Sequence, residues 1–459
     1  MTVNLEIWNI AIASVLLMLV YAANISAFDM LNASLDDSNT TLTSKLGYEC
    51  SSINSFISIG GSFVVPFLQC LGYRILISGS ALFHVPLYLA MIFLDKYVLV
   101  TGATINGIAD GIVWVVVFDY VVSVSQKKNI ERNMSYFILT YSFAALIGNL
   151  INYFNLDSPK KITDTARIHI YSLCTAITIF AALLAAFGLR KMPSTPQNSR
   201  EQSIVESEIL PDSDAEDYND HDPLVTSDNV EGAFRGEISI PRRLLKFLVK
   251  PATLAQGVTS IVSGMFDAWL VVIFTCIRNT YSDRHLLPVC GLIYGCCKIV
   301  FSAIWNKLTT FVGYRFMIYL ITVVTLFWLL IIMSIFPPIS IHAQGNASDA
   351  LLPLGSWVVY LLGMFTGISR TWMDLLKQIS CGTCSRADDV MEDFKPSVMF
   401  TVKTIVWSSA SAATYAVVPY VNFYAFVGFS IFGLLVNHVL FEKILLRYFG
   451  ATDERTHVN

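Results

Sequence analysis

Charge is what this sequence has least of. Asp, Glu, Lys and Arg make up 14% of the 459 residues, where a soluble globular chain carries roughly 25%. With hydrophobic residues at 54%, the chain lacks the polar surface that a water-soluble fold of this length needs. It also lacks a basic excess, and its net charge of −4 offers no general surface for nucleic acid. From Met1 to Trp8 there is neither Lys nor Arg, so the basic front of a cleaved signal peptide is missing and the first apolar segment is expected to remain as a span. No Ser-His-Asp order, phosphate loop or HExxH helix occurs, so enzymatic hydrolysis has no support and the chain is not expected to be an enzyme. Cys381-Gly382-Thr383-Cys384 is not followed by a second such pair, which leaves too few ligands for tetrahedral zinc. No metal and no cofactor are expected.

What is present is a series of apolar segments, each near the ~20 residues that a helix needs to cross a hydrocarbon core of about 30 Å. Residues 10–28 and 317–336 are apolar on nearly every face, unlike the ten-residue alternation of a membrane barrel strand. The pattern predicts an all-α, polytopic membrane protein with spans near 8–28, 51–70, 74–95, 98–124, 134–155 and 167–190, then 252–277, 287–307, 314–337, 354–380, 397–419 and 421–442. These make two six-helix halves, 1–190 and 251–459. The interval 191–250 is acidic and poor in apolar residues, as in a disordered linker.

Basic residues flank that interval: Arg190 and Lys191 before it, Arg242, Arg243, Lys246 and Lys250 after it. The positive-inside rule therefore places the linker and both termini in the cytoplasm. The N-x-S/T triplets at Asn32, Asn39 and Asn346 then fall outside and are expected to accept glycan. A repeat links the halves. Gly72-Tyr73-Arg74 and Gly313-Tyr314-Arg315 occupy the same tight turn, and Gly107 before Trp114 is matched by Gly367 before Trp372, as in parallel six-helix repeats.

Two six-span halves, a long central linker and the Gly-Tyr-Arg turn resemble the major facilitator superfamily. The stretch Gly107-Ile108-Ala109-Asp110-Gly111-Ile112-Val113-Trp114, then Tyr120 and the segment Phe137 to Asn149, resembles the uncoordinated protein 93 family within it. That family usually has Gln-Gly between the Trp and the Tyr, where this chain has Val117-Phe118. The resemblance implies a facilitator fold without implying transport. Family members act as accessory subunits of potassium channels or as chaperones that traffic receptors, so the partners implied are the lipid bilayer and another membrane protein such as a channel or a receptor, in the plasma membrane or an endomembrane. Solute transport by alternating access is the alternative.

Ionisable residues inside spans are costly to bury and are functional candidates for that reason. Asp110 stands beside small Gly107 and Gly111. Asp119, nine residues further on, points to the opposite face and is expected to be solvated or paired with Lys127 or Lys128. Arg370, Asp374 and Lys377 are spaced by four and three and share one helical face, which predicts an ion-pair ladder within one helix. Lys298, Lys403, Asp267 and His84 complete the set. If the protein is a carrier, Asp110, Lys298 and Arg370 should converge on one cavity. If it is an accessory subunit, glycines such as Gly60, Gly61, Gly428 and Gly433 should let a partner helix approach.

Overall fold

The computed structural model describes residues 2–37, 42, 44–125, 129–156, 158, 161–190, 250–281, 283–337, 347–384 and 396–445. Among them the helices are α1 (Thr2–Asp37), α2 (Ser44–Leu68), α3 (Tyr73–Leu82), α4 (Val85–Phe93), α5 (Lys96–Val124), α6 (Ile130–Asn155), α7 (Asp164–Gly188), α8 (Pro251–Thr280), α9 (Leu286–Ile335), α10 (Val358–Cys384), α11 (Pro396–Val417) and α12 (Phe423–Leu440). The described residues contain no strand. The protein is an all-α, multi-pass membrane protein. The acidic linker lies outside the described residues, except for Lys250.

Three boundaries differ from the sequence pattern, each for a physical reason. The third span is two helices, α3 and α4, broken at Phe83-His84 ahead of Pro86, whose ring cannot continue the preceding turn. Spans eight and nine form the single element α9, bent at Gly313, where φ is 79°. Gly72, its counterpart before α3, has φ 81°. Both turns need a backbone conformation that is essentially confined to glycine, which is why Gly-Tyr-Arg recurs there. Helix α1 runs on to Asp37, well past the end of its apolar stretch near Phe28. The extension is held from the opposite half. Arg284 donates to both carboxylate oxygens of Asp37, at 3.1 Å each, and Arg278 pairs with Asp36.

Nine stretches among the described residues are long and apolar enough to span a membrane, and they come from α1, α3–α4, α5, α6, α7, α8, the two parts of α9 and α12. Helices α2, α10 and α11 have 25, 27 and 22 residues but are more polar. Some of their polar groups bond to carbonyls of their own helix, as Thr371 does to Gly367 and Thr404 to Phe400, and others reach across to a neighbour. Across the α2–α11 contact, Ser58 donates to Ser408 at 2.7 Å and Ser52 to the Ala412 carbonyl at 2.9 Å.

Packing follows a pseudo-twofold plan. Helices α2 and α5 pair in the first half as α9 and α10 do in the second, and α1 with α6 as α8 with α11. The halves meet through α6 against α9 and through α2 against α11. Small residues permit the closest crossings. A Cβ on Gly107 or Gly111 would strike the Asn54 or Ser58 carbonyl, and one on Gly363 or Gly367 the Cys290 or Tyr294 carbonyl. The structural repeat therefore matches Gly107 and Gly111 with Gly363 and Gly367, a shift of four residues from the pairing of Gly107 with Gly367 that the sequence suggests.

Candidate functional site

Helix α5 buries Asp110, 8% exposed, at the point where the glycines bring α2 closest. The carboxylate accepts from Tyr21 Oη of α1 at 2.7 Å, Asn54 Nδ2 of α2 at 2.9 Å and Asn106 Nδ2 one turn earlier at 3.3 Å. Three neutral donors replace the water that burial removes. His84, at the α3–α4 break and fully buried, faces the same carboxylate through Nε2 at 3.2 Å while Nδ1 faces the Ser80 carbonyl at 2.9 Å. Both ring nitrogens meet acceptors, and a neutral imidazole has only one N–H. The ring is thus held between a backbone carbonyl on one side and the Asp110 carboxylate on the other.

The second half assembles charge differently. Lys298 of α9 donates to Asp374 Oδ2 at 2.9 Å, while Lys377 Nζ and Arg370 Nε stand 3.7 and 3.9 Å from Asp374. Arg370 forms its close ion pair with Asp267 of α8. The ladder along α10 exists, but it is not self-contained: the closest partner of Asp374 is on α9 and that of Arg370 is on α8. Three helices are tied together by three cations and two carboxylates.

Between the two centres lies a stack of rings. Tyr21, which binds Asp110, packs on Trp114 and Tyr141 with centroids 4.8 and 5.6 Å apart. Trp114 stacks on Phe118 at 5.5 Å and meets Trp407 of the second half at 6.1 Å. Phe118 stacks on Phe400 at 5.8 Å. Three lysines of the second half lie over these faces: Lys298 over Tyr141 at 4.9 Å, Lys377 over Trp407 at 4.6 Å and Lys403 over Phe118 at 4.8 Å. Desolvated cation–π contacts of this kind contribute about 2 kcal/mol. Asp110 and Lys298 thus border one aromatic stack, through Tyr21 and Tyr141, whereas Arg370 lines a separate small cavity with Tyr294 and Trp328, so the three do not meet in one open cavity. Neither of the two best-defined cavities, one beside Asp29 and one beside Arg370, has room for more than about a single water molecule.

Asp119 accepts from Tyr73 Oη at 2.8 Å, and Lys127 and Lys128 lie outside the described residues. Asn32 is inside α1, 6% exposed, with its amide directed at Thr275 Oγ1 at 3.4 Å. Its expected exposure is not found, because the extension of α1 carries it into the bundle. Asn39 and Asn346 lie outside the described residues. Gly61 is pressed against the Ile108 carbonyl and Gly433 against Met265, whereas a Cβ on Gly60 or Gly428 would meet nothing within 4 Å. Among the described residues no group of three or more His, Cys, Asp or Glu is arranged for a metal, and the side chains of Cys381 and Cys384 lie outside those described. The aromatic stack and the Asp36–Arg278 and Asp37–Arg284 clasp escaped sequence reasoning. Rings in apolar spans read as lipid-facing bulk, and the clasp charges read only as loop charge.

The fold is that of known membrane transporters. A crystal structure of a D-xylose-proton symporter superposes with a TM-score of 0.62 at 12% identity, covering 95% of this chain and 96% of that one. The xylose transporter XylE from E. coli, in a partially occluded inward-open conformation, gives 0.63 at 11% identity, covering 96% and 98%. A peptide transporter POT in complex with sulfate gives 0.60 at 11% identity, covering 96% and 94%. Likeness at such identity establishes the major facilitator fold and nothing about cargo. Residues 38–441 match the family described as ion channel regulatory protein UNC-93, and with most of its length inside that match, the chain belongs to the UNC-93 family.

Proposed function

We propose that the protein is an accessory subunit that regulates an ion channel, or chaperones a receptor, within the membrane and does not carry solute. The observation behind this reading is the filled centre. Where a facilitator would hold cargo near the midplane, the rings of Trp114, Phe118, Tyr141, Trp407 and Phe400 occupy the space and the lysines lie on their faces. The description of the family as an ion channel regulatory protein agrees with it. On this reading a partner helix docks on the lipid-facing side of α12, where Gly428 lies open beside Phe429 and Phe432, each 64% exposed. The linker and both termini face the cytoplasm, and Asn39 and Asn346, but not Asn32, receive glycan.

The test reconstitutes purified protein in liposomes and screens sugars, peptides and ions for saturable uptake, while a membrane pull-down compares wild type with Gly428→Leu. The expected result is no saturable uptake, together with a partner recovered by wild type and lost with the variant. Saturable uptake abolished in Asp110→Asn would establish the second reading, transport by alternating access, which the burial of the ionisable Asp110 and Lys298 inside the bundle favours.

A further inference from the structure

Most buried acids here have a matched partner: Asp110 has three neutral donors and a histidine, Asp374 and Asp267 have cations, and Asp36 and Asp37 have arginines. Asp29 of α1 does not. It is 6% exposed and lies where α1 meets α6, α8 and α9. Among the described residues its single hydrogen bond is from Asn149 Nδ2, at 3.4 Å, and no cation pairs with it. Asn149 is itself fully buried, gives its amide a better acceptor in the Ala145 carbonyl at 2.9 Å, and leaves its own Oδ1 without any donor. Acceptors therefore outnumber donors around a carboxyl group taken out of water. An ionised carboxylate so placed costs several kcal/mol, and the group neutralises itself by taking up a cation.

The walls select which cation. The cavity beside Asp29 has room for about one water and is lined by Phe28, Ala33, Val271, Phe274 and Leu287 together with Asn32, Thr275 and Arg278. A metal ion needs several oxygen ligands, and besides the carboxylate these walls offer only the side chains of Asn32 and Thr275, of which Thr275 Oγ1 already accepts from Tyr48. We infer that Asp29 is a proton-binding site, occupied in the closed arrangement of the halves.

The titratable groups facing it from neighbouring helices do not replace that proton. Arg278 of α8 lines the same cavity, with its Nε unpartnered among the described residues, but its ion pair is with Asp36. Cys290 and Tyr294 of α9 and Tyr415 of α11 are close enough to feel its charge and carry no positive charge. Tyr48 of α2 donates to Thr275, Tyr171 of α7 bonds Ser34, and Asp110 of α5 is held by Tyr21, about two turns away along α1. Asp29 and Asp36 are seven residues apart, two turns of helix, and so share a face of α1. Release of the proton would place a second carboxylate in the cavity that Arg278 lines, in competition with Asp36 for the clasp.

Infrared difference spectroscopy of full-length protein in lipid nanodiscs tests this. At neutral pH a protonated-carboxyl band is expected in wild type and lost in Asp29→Asn; if that variant fails to fold, Asp29→Glu, which keeps the group on a longer arm, should move the band in frequency. As a second readout, the native chain keeps a proton that the unfolded chain releases at neutral pH, so wild type should lose thermal stability relative to Asp29→Asn as pH rises. A band unchanged by either substitution, or parallel stability curves, would overturn the proposal. Saturable stabilisation by sodium at constant ionic strength, lost in Asp29→Asn, would overturn it in favour of a metal cation.

Discussion

Set on the shared glycines, α5 and α10 can be read residue against residue. Gly107 and Gly111 fall on Gly363 and Gly367, so Asn106 and Asp110 fall on Leu362 and Thr366, while Trp114, Phe118 and Val121 fall on Arg370, Asp374 and Lys377. The two helices share a crossing geometry and invert their chemistry. The first half buries one acid among neutral donors and follows it with aromatic rings. The second half has uncharged Leu362 and Thr366 where the first has Asn106 and Asp110, and carries its ion pairs where the first has Trp114 and Phe118. Because the halves face each other, cations of one meet ring faces of the other, and a backbone built on a repeat closes on itself at its centre. The polar groups of a repeat protein need not be repeated for the fold to be, since crossing angles depend on where small residues fall and not on which charges lie beside them.

The comparison is tested most severely by the same change in both helices. Asp374→Asn leaves Lys298 and Lys377 buried against a neutral amide, and breaking a buried pair from one side costs about 3–5 kcal/mol. Folded, monodisperse yield should collapse, and Lys298→Met introduced with it should restore part of the loss. Asp110→Asn keeps an oxygen to accept from Tyr21 and should cost only about 1–3 kcal/mol. If the two variants were equally stable, the distinction between the ion-paired and the hydrogen-bonded half would fail.

A smaller effect separates inner from outer glycines. Gly111→Ala forces a methyl group against the Ser58 carbonyl, and overpacking of this kind costs about 1–3 kcal/mol, whereas Gly428→Ala should stay within about 0.5 kcal/mol. Thermal melting of the two variants decides it. Smallest of all is the contrast between arginines: Arg284→Ala opens a pair that is 9% and 6% exposed and should lower the melting temperature measurably, while Arg315→Ala, 71% exposed in its pair with Glu442, should scarcely move it.

Much of this was legible in the sequence. The apolar segments give the spans, because a span must satisfy its backbone within itself and its length is set by the bilayer. The paired Gly-Tyr-Arg turns give the two halves, because both need a conformation reserved for glycine. The spacing of Arg370, Asp374 and Lys377 gives a shared face. What spacing along one helix cannot give is the partner on the next: Lys298 and Asp267 become the closest partners of Asp374 and Arg370 only through packing. The same limit hid the clasp, and with it the extension of α1 that buries Asn32. The role of Trp114, Phe118 and Trp407 was hidden for another reason, since a ring facing lipid and a ring closing a bundle have the same hydropathy.

The account turns on whether the centre stays closed, and pulsed electron resonance distances between spin labels measure that directly. One label pair would sit at positions 45 and 283, at the clasp end of the two halves, and another at 71 and 316, beside the Gly72 and Gly313 turns at the other end. All but position 316, which is 54% exposed, lie on connections or helix ends, and Leu71 is 49% exposed. The filled centre predicts one narrow distance population for each pair in nanodiscs. Two populations whose weights shift in opposite directions at the two ends, as alternating access demands, would contradict it.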